Sequence, residues 1–387
     1  MKKSIALLLI IVCALSLGGC GIFAKAREVE HMLVIQTLGL DRSKSGVRLS
    51  LASTAGASDI QHPTRMQGDG PSITAAIETI RSGSNETELF CAHICHVLIG
   101  EEAAEGGVGE LLNYICRSPE LRISVPMYIV RGATAGECVL SVGDERHGIC
   151  DALDAVDGDI RLRGDGRITS AAEIAQDLSR RGSALVCAVR CIPSAERPQE
   201  DAAGGASQEQ ELKTVAADGY AVLAGDALAA FIDRENAVGV ALLTGSAGLC
   251  ELPVKDRNGR TLTLTLTDGS SRLRPVWDEE GTLVGLDVDA RATAILSESG
   301  EGSGEDYEQS LTALLEQELS ARIAAVLTLE RQLGADFLGL EERLSRTESA
   351  RIDAMDEPFG EALRDLSFQV SVSGQLTHTG DLREDLT

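Results

Sequence analysis

The sequence is poor in aromatic residues and in positive charge. Aromatic side chains make up 3% of the 387 residues, and Trp277 is the single tryptophan. This scarcity argues against a platform that stacks carbohydrates or bases, because such platforms need exposed rings. Lys and Arg number 35 against 60 Asp and Glu, which gives a formal net charge of −25. Because so acidic a chain is repelled by phosphates, we expect no nucleic acid among its partners.

Long apolar runs are missing from all but the beginning of the chain. After Cys20 no stretch of about 18 apolar residues occurs, so we expect no later segment to cross a bilayer as a helix. The composition, 43% hydrophobic and 25% charged residues, is that of a foldable chain with a body in water. The length predicts two or three domains, since single cores rarely grow beyond about 250 residues.

The first residues have the pattern of an export signal. Lys2 and Lys3 precede an apolar run over residues 5–17, which is too short to span a membrane as a helix. The run ends in Leu17-Gly18-Gly19-Cys20. This tetrapeptide resembles the bacterial lipobox, in which the cysteine sulfur accepts diacylglycerol before cleavage.

Two interpretations of this signal follow. In the favoured one, residues 1–19 are a lipoprotein signal peptide and the mature chain begins with a lipidated Cys20, through which diacylglycerol holds it at a membrane. In the alternative, cleavage at Ala24-Lys25-Ala26 releases the chain by ordinary secretion.

Eight of the ten cysteines lie beyond Cys13 and Cys20. Two pairs of them, Cys91 with Cys95 and Cys187 with Cys191, are four residues apart in predicted strands. That spacing separates the members of a pair by about 13 Å, beyond the reach of a disulfide bond. Cys116 is predicted on the apolar face of a helix. We therefore expect neither close pair to be bridged, and the thiols to be mostly free and buried.

The part of the mature chain over residues 20–192 is predicted to be an N-terminal α+β domain. Apolar runs over 32–40 and 47–51 flank a polar turn and indicate a β-hairpin. Pro126 lies in a further predicted strand and places that strand at a sheet edge, because proline cannot donate to a ladder. The other predicted elements are strands over 90–99, 123–130 and 184–192, and helices over 73–80, 108–116 and 171–178.

The second half of the chain begins with a predicted linker or long loop over 193–212, which lacks periodicity and is rich in small and acidic residues. A β-rich middle domain is predicted over 213–300. A C-terminal α+β domain with a long amphipathic helix is predicted over 301–387. The strands predicted over 219–223, 238–243, 261–267 and 284–294 belong to the middle domain. The long helix of the C-terminal domain is predicted over 308–333, with Gly334 as its left-handed end and Asp336 as the cap of the element that follows. The whole is predicted to be an α+β protein of three consecutive domains with mixed or antiparallel sheets and packed helices.

One cluster has the residue types of a metal site. In a strand, Cys91, His93 and Cys95 would project from one face, where thiolates and an imidazole suit zinc or copper. The fourth ligand is missing, because His96 would point to the other face. We therefore interpret the cluster as part of a structural strand and predict no metal site.

Other candidate chemistry is weaker still. The acidic motifs Asp157-Gly158-Asp159 and Gly164-Asp165-Gly166 lack the spacing of an EF-hand, so turn acids are the favoured interpretation. No Gly-x-Ser-x-Gly elbow occurs, and the six histidines are scattered along the chain. We predict no catalytic residue and no cofactor.

The motifs, taken in their order, resemble the GerAC-type, or Ger(x)C, spore germination lipoproteins over nearly the whole mature chain. Single motifs are unspecific, and their ordered set carries the resemblance. The first motif, Leu38-Gly39-Leu40-Asp41, is similar to a family segment that ends in a Gly-x-Asp turn. The others are, in order, His93 with residues 97–102, Arg117-Ser118-Pro119-Glu120, Gly219-Tyr220-Ala221-Val222 with residues 239–243, and residues 334–339 after the long helix. The family often has tryptophans where Gly21-Ile22-Phe23 and residues 355–359 stand here.

The resemblance implies a non-enzymatic C-type subunit of a germinant receptor with a fold of three α+β domains. Such a subunit would be tethered to the outer face of the spore inner membrane, beside membrane-spanning A-type and B-type subunits. The alternative is an extracytoplasmic solute-binding lipoprotein of a transporter, and an extracytoplasmic hydrolase comes third. Alternating strands in the second half suit antiparallel sheets, whereas a solute-binding protein should show repeated parallel βαβ units.

Overall fold

The computed structural model describes residues 32–53, 64–84, 88–143, 147–163, 166–195, 212–256, 259–297 and 305–377. Within these ranges the chain forms two β-sheets and ten helices, which confirms the predicted α+β class with mixed sheets. Cys20, the alternative cleavage site and most of the predicted linker lie outside the described residues.

The first sheet contains ten strands and follows the order β10-β9-β8-β6-β5-β1-β2-β3, with β4 beside β1 and β7 beside β6. The strands are β1 (Met32–Ser43), β2 (Gly46–Ser53), β3 (Arg65–Gly70), β4 (Glu88–Phe90), β5 (His96–Gly100), β6 (Pro126–Val130), β7 (Thr169–Ser170), β8 (Ser183–Pro193), β9 (Lys213–Ala224) and β10 (Ala227–Ile232). The predicted hairpin is confirmed, since β1 and β2 pair antiparallel up to a turn that joins Ser43 to Gly46.

The centre of this sheet is parallel and covered on both faces. β1, β5, β6 and β8 run parallel to one another, with helices in the connections. The helices of this half are α1 (Ile73–Gly83), α2 (Glu101–Glu105), α3 (Gly109–Arg117), α4 (Ala135–Ser141), α5 (Ile149–Arg163) and α6 (Ala171–Arg181). Side chains of α1, α2, α3 and α6 share one core with the sheet, and those of α4 and α5 share another. Every residue of β5 is therefore buried.

The predicted edge position of Pro126 is wrong. β6 lies inside the sheet, between β5 and β8. Proline is tolerated there because it is the first residue of the strand, and the ladder with β5 begins only at Met127. The predicted burial of Cys116 is also wrong, because its side chain is exposed on α3.

The second sheet has four strands in the order β11-β12-β13-β14. They are β11 (Cys250–Lys255), β12 (Thr261–Trp277), β13 (Leu283–Leu296) and β14 (Ser367–Leu376). The first three pair antiparallel, as the alternation predicts, and β14 joins β13 in parallel. The threonines of β12 face outwards while Leu262, Leu264 and Leu266 are buried.

The strand predicted over 238–243 is wrong. These residues belong to a helix, α7 (Arg234–Thr244), in which every residue from Ala237 to Leu243 is buried. A helix that is apolar on all sides shows neither the period of a strand nor the stripe of a surface helix, so sequence pattern alone cannot identify it. Gly239 allows close packing here, because a Cβ at this position would lie 2.7 Å from the carbonyl oxygen of Arg322.

The long helix, α8 (Glu305–Leu333), covers the inner face of the second sheet. Its predicted apolar stripe is confirmed, since Leu311, Leu315, Leu319, Ile323 and Val326 are all buried. Two shorter helices follow, α9 (Leu340–Ile352) and α10 (Phe359–Ala362).

The two sheets are joined without a break in packing. β9 and β10 follow the predicted linker but belong to the first sheet, in which β9 pairs with β8 and β10 pairs with β9. The boundary predicted at residue 213 therefore falls between two neighbouring strands of one sheet. Tyr220, Val222 and Ile232 of these strands belong to the same core cluster as α7, α8 and the second sheet.

Candidate functional site at the junction of the sheets

The loop between α8 and α9 contains the last motif of the family resemblance, residues 334–339. Gly334 ends α8 in a left-handed conformation with φ of 59°, and its N–H donates to the carbonyl oxygen of Glu330 at 2.9 Å. The predicted helix stop is therefore confirmed. A Cβ at Gly334 would also collide with the guanidinium of Arg364.

Asp336 begins the next helix from inside the protein. Its side chain is 3% exposed. One carboxylate oxygen accepts the backbone N–H of Leu340 at 2.6 Å, and the other accepts that of Glu341 at 3.1 Å. The predicted capping role of Asp336 is confirmed, because these N–H groups have no acceptor within the first turn of α9.

Glu330 lies beside Asp336 and has no contact with solvent. Its Oε1 accepts the N–H of Leu338 at 3.0 Å, whereas Oε2 has no donor from which to accept. Burial, and next the charge of Asp336, raise the pKa of Glu330 well above its usual range. A proton on Glu330 then makes it a donor to the Asp336 carboxylate, so the pair shares one negative charge.

The balancing positive charge comes from the first half of the chain. Arg181, in the last turn of α6, forms an ion pair with Asp177 and lies so close to Gly339 that a Cβ there would collide with it. Its charge lowers the pKa of both Glu330 and Asp336, against the larger effect of burial. The adjacent Arg180 pairs with Glu342 of α9 at 3.4 Å.

The second sheet joins the same cluster through α9. Arg343 donates from Nη2 to the carbonyl oxygen of Ser271, in β12, at 3.2 Å. Residues of α6, the 334–339 loop, α9 and β12 thus meet in one place. We call this group, Arg181, Glu330, Asp336 and Arg343, the acidic junction. The acidic junction offers no nucleophile. It holds a proton on Glu330 and fixes the relative position of the two sheets.

The predicted strand over residues 90–99 is interrupted, which separates the candidate metal ligands. β4 ends at Phe90 and β5 begins at His96, with a turn between them. Cys91 is buried in the core, whereas Cys95 is exposed and its thiol donates to the carbonyl oxygen of His93 at 3.2 Å. Among the described residues, no three His, Cys, Asp or Glu side chains are grouped as metal ligands.

His96 occupies a polar contact that the sequence did not indicate. It is 2% exposed, and its Nδ1 is 3.6 Å from the sulfur of Cys150. Its Nε2 lies 3.5 Å from Asp154 and 3.7 Å from Asp157, both on α5. Burial and the hydrogen bond to Asp157 raise the pKa of Tyr128, so the phenol remains a neutral donor. These groups anchor α5 to β5 and β6.

Two acids that the sequence analysis placed in turns have structural roles. Asp157 lies inside α5 rather than in a turn, and its carboxylate accepts a hydrogen bond from the hydroxyl of the buried Tyr128. Asp41 lies within β1, not in a Gly-x-Asp turn, and its two oxygens each accept an N–H from the start of α4, those of Ala135 and Gly136, at 2.7 Å. Asp165 lies outside the described residues.

The described part of the chain contains no helix that is long and apolar enough to cross a membrane.

Comparison with known proteins gives two family matches. The family described as "Spore germination protein N-terminal domain" matches residues 25–141, and the one described as "Spore germination B3/ GerAC like, C-terminal" matches residues 218–380. Together the two matches cover most of the chain, and the second includes Glu330, Asp336 and Arg343 of the acidic junction but not Arg181. No curated protein matches the chain significantly.

One solved structure, titled "Crystal Structure of the GerBC protein", is similar to this fold. The similarity covers 88% of this chain and 96% of that chain, with a TM-score of 0.56 and 16% sequence identity. A likeness at this identity shows a common fold over almost the full length of both proteins.

Proposed function

The chain belongs to the GerAC-type family of spore germination proteins, and from this we propose that it is a non-enzymatic C-type subunit of a germinant receptor. In this role it acts with membrane-spanning A-type and B-type subunits to start germination when a nutrient is present. The observation that carries the proposal is the pair of family matches over residues 25–141 and 218–380.

The geometry of the described residues supports a structural role over a catalytic one. The buried polar groups at the acidic junction and around His96 are directed at the protein's own backbone and side chains. Asp41 likewise binds the first N–H groups of α4. Such contacts hold elements in fixed relative positions, which suits a subunit that presents surfaces to partners.

We place the subunit on the outer face of the spore inner membrane, held by diacylglycerol on Cys20. Two acyl chains hold a protein at a membrane stably, whereas a single chain does so only marginally. Tethering raises the local concentration of the body near the membrane subunits, so a weak docking surface is enough for assembly. The predicted division into three domains is part of this proposal.

The anchor is tested by replacing Cys20 with Ala and fractionating spores. We expect Cys20→Ala to leave the body folded, to release it from the inner membrane, and to abolish or strongly weaken germination through this receptor. Cys13→Ala is the matched control, because Cys13 leaves with the signal peptide and should not matter. If Cys20→Ala protein stays in the membrane with normal germination, the lipobox interpretation fails and cleavage at residues 24–26 must be considered.

A solute-binding lipoprotein of a transporter is the second candidate function. Two observations favour it: the centre of the first sheet is built from parallel strands with helical connections, and a cleft of about 440 Å³ opens beside α5 and α6. The cleft is large enough for a small solute, and Ser124, Arg161 and Arg167 are among its lining residues. Genes for A-type and B-type subunits beside this one support the receptor, whereas an ABC permease gene supports the transporter.

A further inference from the structure

Two cysteines that are far apart in the sequence meet behind the first sheet. Cys138 lies on α4 and Cys191 lies on β8, and both contribute to the core between that helix and the sheet. The Cys138 thiol is completely buried, whereas Cys191 is half-buried. The hydroxyl of Ser141, one turn after Cys138 on the same helix, is 3.8 Å from the Cys191 sulfur, and the two thiols are near enough for each to affect the pKa of the other. The sequence spacing relates Cys191 only to Cys187, so this pairing is a product of the fold.

The surroundings of the pair favour a thiolate on one sulfur. The Ser141 hydroxyl is 3.8 Å from the sulfur of Cys191, and Lys213, paired with Glu137 at 3.6 Å, is near enough to act on it. Hydrogen bonding from Cys138, followed by Ser141 and the Lys213 charge, lowers the pKa of Cys191 to about 6 despite its burial. The same hydrogen bond and burial raise the pKa of Cys138. The lowered pKa favours the thiolate form of Cys191, which is the nucleophilic form of a cysteine.

We propose that Cys138 and Cys191 form a redox-active dithiol that exchanges with disulfides of thiol compounds and closes a reversible bridge between α4 and β8. The role of each sulfur in the exchange follows from how exposed it is to solvent. Cys191 is the half-exposed attacking sulfur, and Cys138 is the buried sulfur that completes the bridge. This inference goes beyond the receptor role and does not depend on it.

The exchange has two steps. The Cys191 thiolate attacks one sulfur of an external disulfide RSSR, whose S–S bond breaks, and one RS⁻ leaves and takes a proton from water. Cys138 then gives its proton to water, and its thiolate attacks the Cys191 sulfur and displaces the second RS⁻. In total the Cys191 thiolate and the Cys138 thiol lose two electrons and one proton to one RSSR, which becomes one RSH and one RS⁻.

A bridge here would act on the fold at a definite place. α4 carries the N–H groups that Asp41 binds, and its end is tied to the start of β9 by the bond from the Gly143 N–H to the Lys213 carbonyl oxygen. Linking Cys138 to Cys191 fixes α4 against β8 covalently. The oxidised protein should therefore have a higher thermal midpoint than the reduced one, because a bridge over so many residues restricts the unfolded chain.

The test uses the purified, fully reduced chain and oxidised glutathione as the disulfide. We expect the mass to fall by two hydrogens, peptide mapping to join Cys138 to Cys191, and dithiothreitol to reverse both changes. Separately, the rate of Cys191 alkylation by iodoacetamide should rise with pH to a midpoint near 6, and Lys213→Gln should move that midpoint upwards.

Variants separate the proposal from general thiol oxidation. Cys191→Ser should prevent the intramolecular bridge, Cys138→Ser should leave glutathione attached to Cys191, and Cys116→Ser, which removes an exposed thiol, should change neither result. Cys95 and Cys150 are a second pair of neighbouring thiols that affect each other's pKa, so mapping must distinguish them. A bridge between Cys95 and Cys150 alone, or stable glutathione on Cys191 of the unmodified chain, would overturn the proposal.

Discussion

The two sheets differ in how many of their faces are covered. Helices lie on both faces of the first sheet, so β5 is buried throughout, and Asp41, Asp157 and the Cys138 thiol are enclosed in the same half of the molecule. Among the described residues, α8 covers one face of the second sheet, and the outward residues of β12 and β14 are in contact with water. Within this part of the chain the second sheet therefore offers a face on which a partner can lie flat, whereas the first sheet can be reached through its loops and edges.

The largest effect is expected where the two sheets meet through α7. Gly239→Val should lower the free energy of unfolding by about 3 kcal/mol, because the added carbons would enter the backbone of α8. Gly158→Ala is the matched control in the first half, since Gly158 lies in α5 with open space around it. It should stabilise the chain slightly, by up to about 1 kcal/mol. Chemical denaturation of the full chain measures both, and equal effects would contradict the tight packing of α7.

The acidic junction should make stability depend on pH. The pKa of Glu330 is raised in the folded chain above its ordinary value of 4.5, so the folded state holds a proton that the unfolded state releases. The free energy of unfolding therefore falls as pH rises above about 4.5, by at most about 1.4 kcal/mol per pH unit for this group, until the folded pKa is passed. Asp336 acts in the same direction.

Glu330→Gln tests this dependence, because the amide keeps the shape of the protonated acid but cannot ionise. We expect a flatter stability curve above about pH 4.5 in the variant. Glu342→Gln is the control at the same junction: the pKa of the exposed Glu342 is lowered by Arg346, so the decline should persist. Parallel curves for the original chain and Glu330→Gln would show that the junction holds no proton.

A smaller effect is expected at the end of α8. Gly334→Val should destabilise the protein by roughly 1 kcal/mol or more, because a β-branched residue resists positive φ and this one would meet Arg364. Gly225→Val shares a positive φ but has open space around it, so it isolates the cost of conformation alone. Thermal melting compares the two, and a larger loss at Gly225 would contradict the crowding at Gly334.

The smallest effect is expected on the open face of the second sheet. Arg274 pairs with Asp289 at 2.7 Å, and both side chains are well exposed. Arg274→Ala should change the free energy of unfolding by no more than about 0.5 kcal/mol, and less in high salt. A loss of several kcal/mol by urea denaturation would mean that this face is not free to accept a partner.

The same difference in coverage explains what could be predicted from the sequence. A sheet with one wet face alternates with a period of two, so the strand over 261–267 was predicted correctly. Continuous burial removes that signal, which is why the pattern predicts a strand where α7 forms. The wrong edge position of β6 has another cause, because it follows from Pro126 alone. The α+β class, the hairpin and the long helix needed only local pattern.

The candidate site was predicted in part. Gly334 and Asp336 follow from the rules for ending and starting helices. Glu330 was missed, although its position one turn after Val326 on the apolar stripe of α8 is a signal that could have found it. Arg181, His96 and the pairing of Cys138 with Cys191 depend on contacts between distant segments, and no local pattern encodes these.

The central claim is that this chain is needed by a germinant receptor. Its most direct test is the germination of spores that lack the chain, followed as the loss of optical density over a panel of single nutrients. The account predicts that the response to at least one nutrient is lost, that responses to others remain, and that the intact gene restores the loss. Unchanged germination with every nutrient, together with reduced uptake of a solute, would contradict the receptor role and favour the transporter.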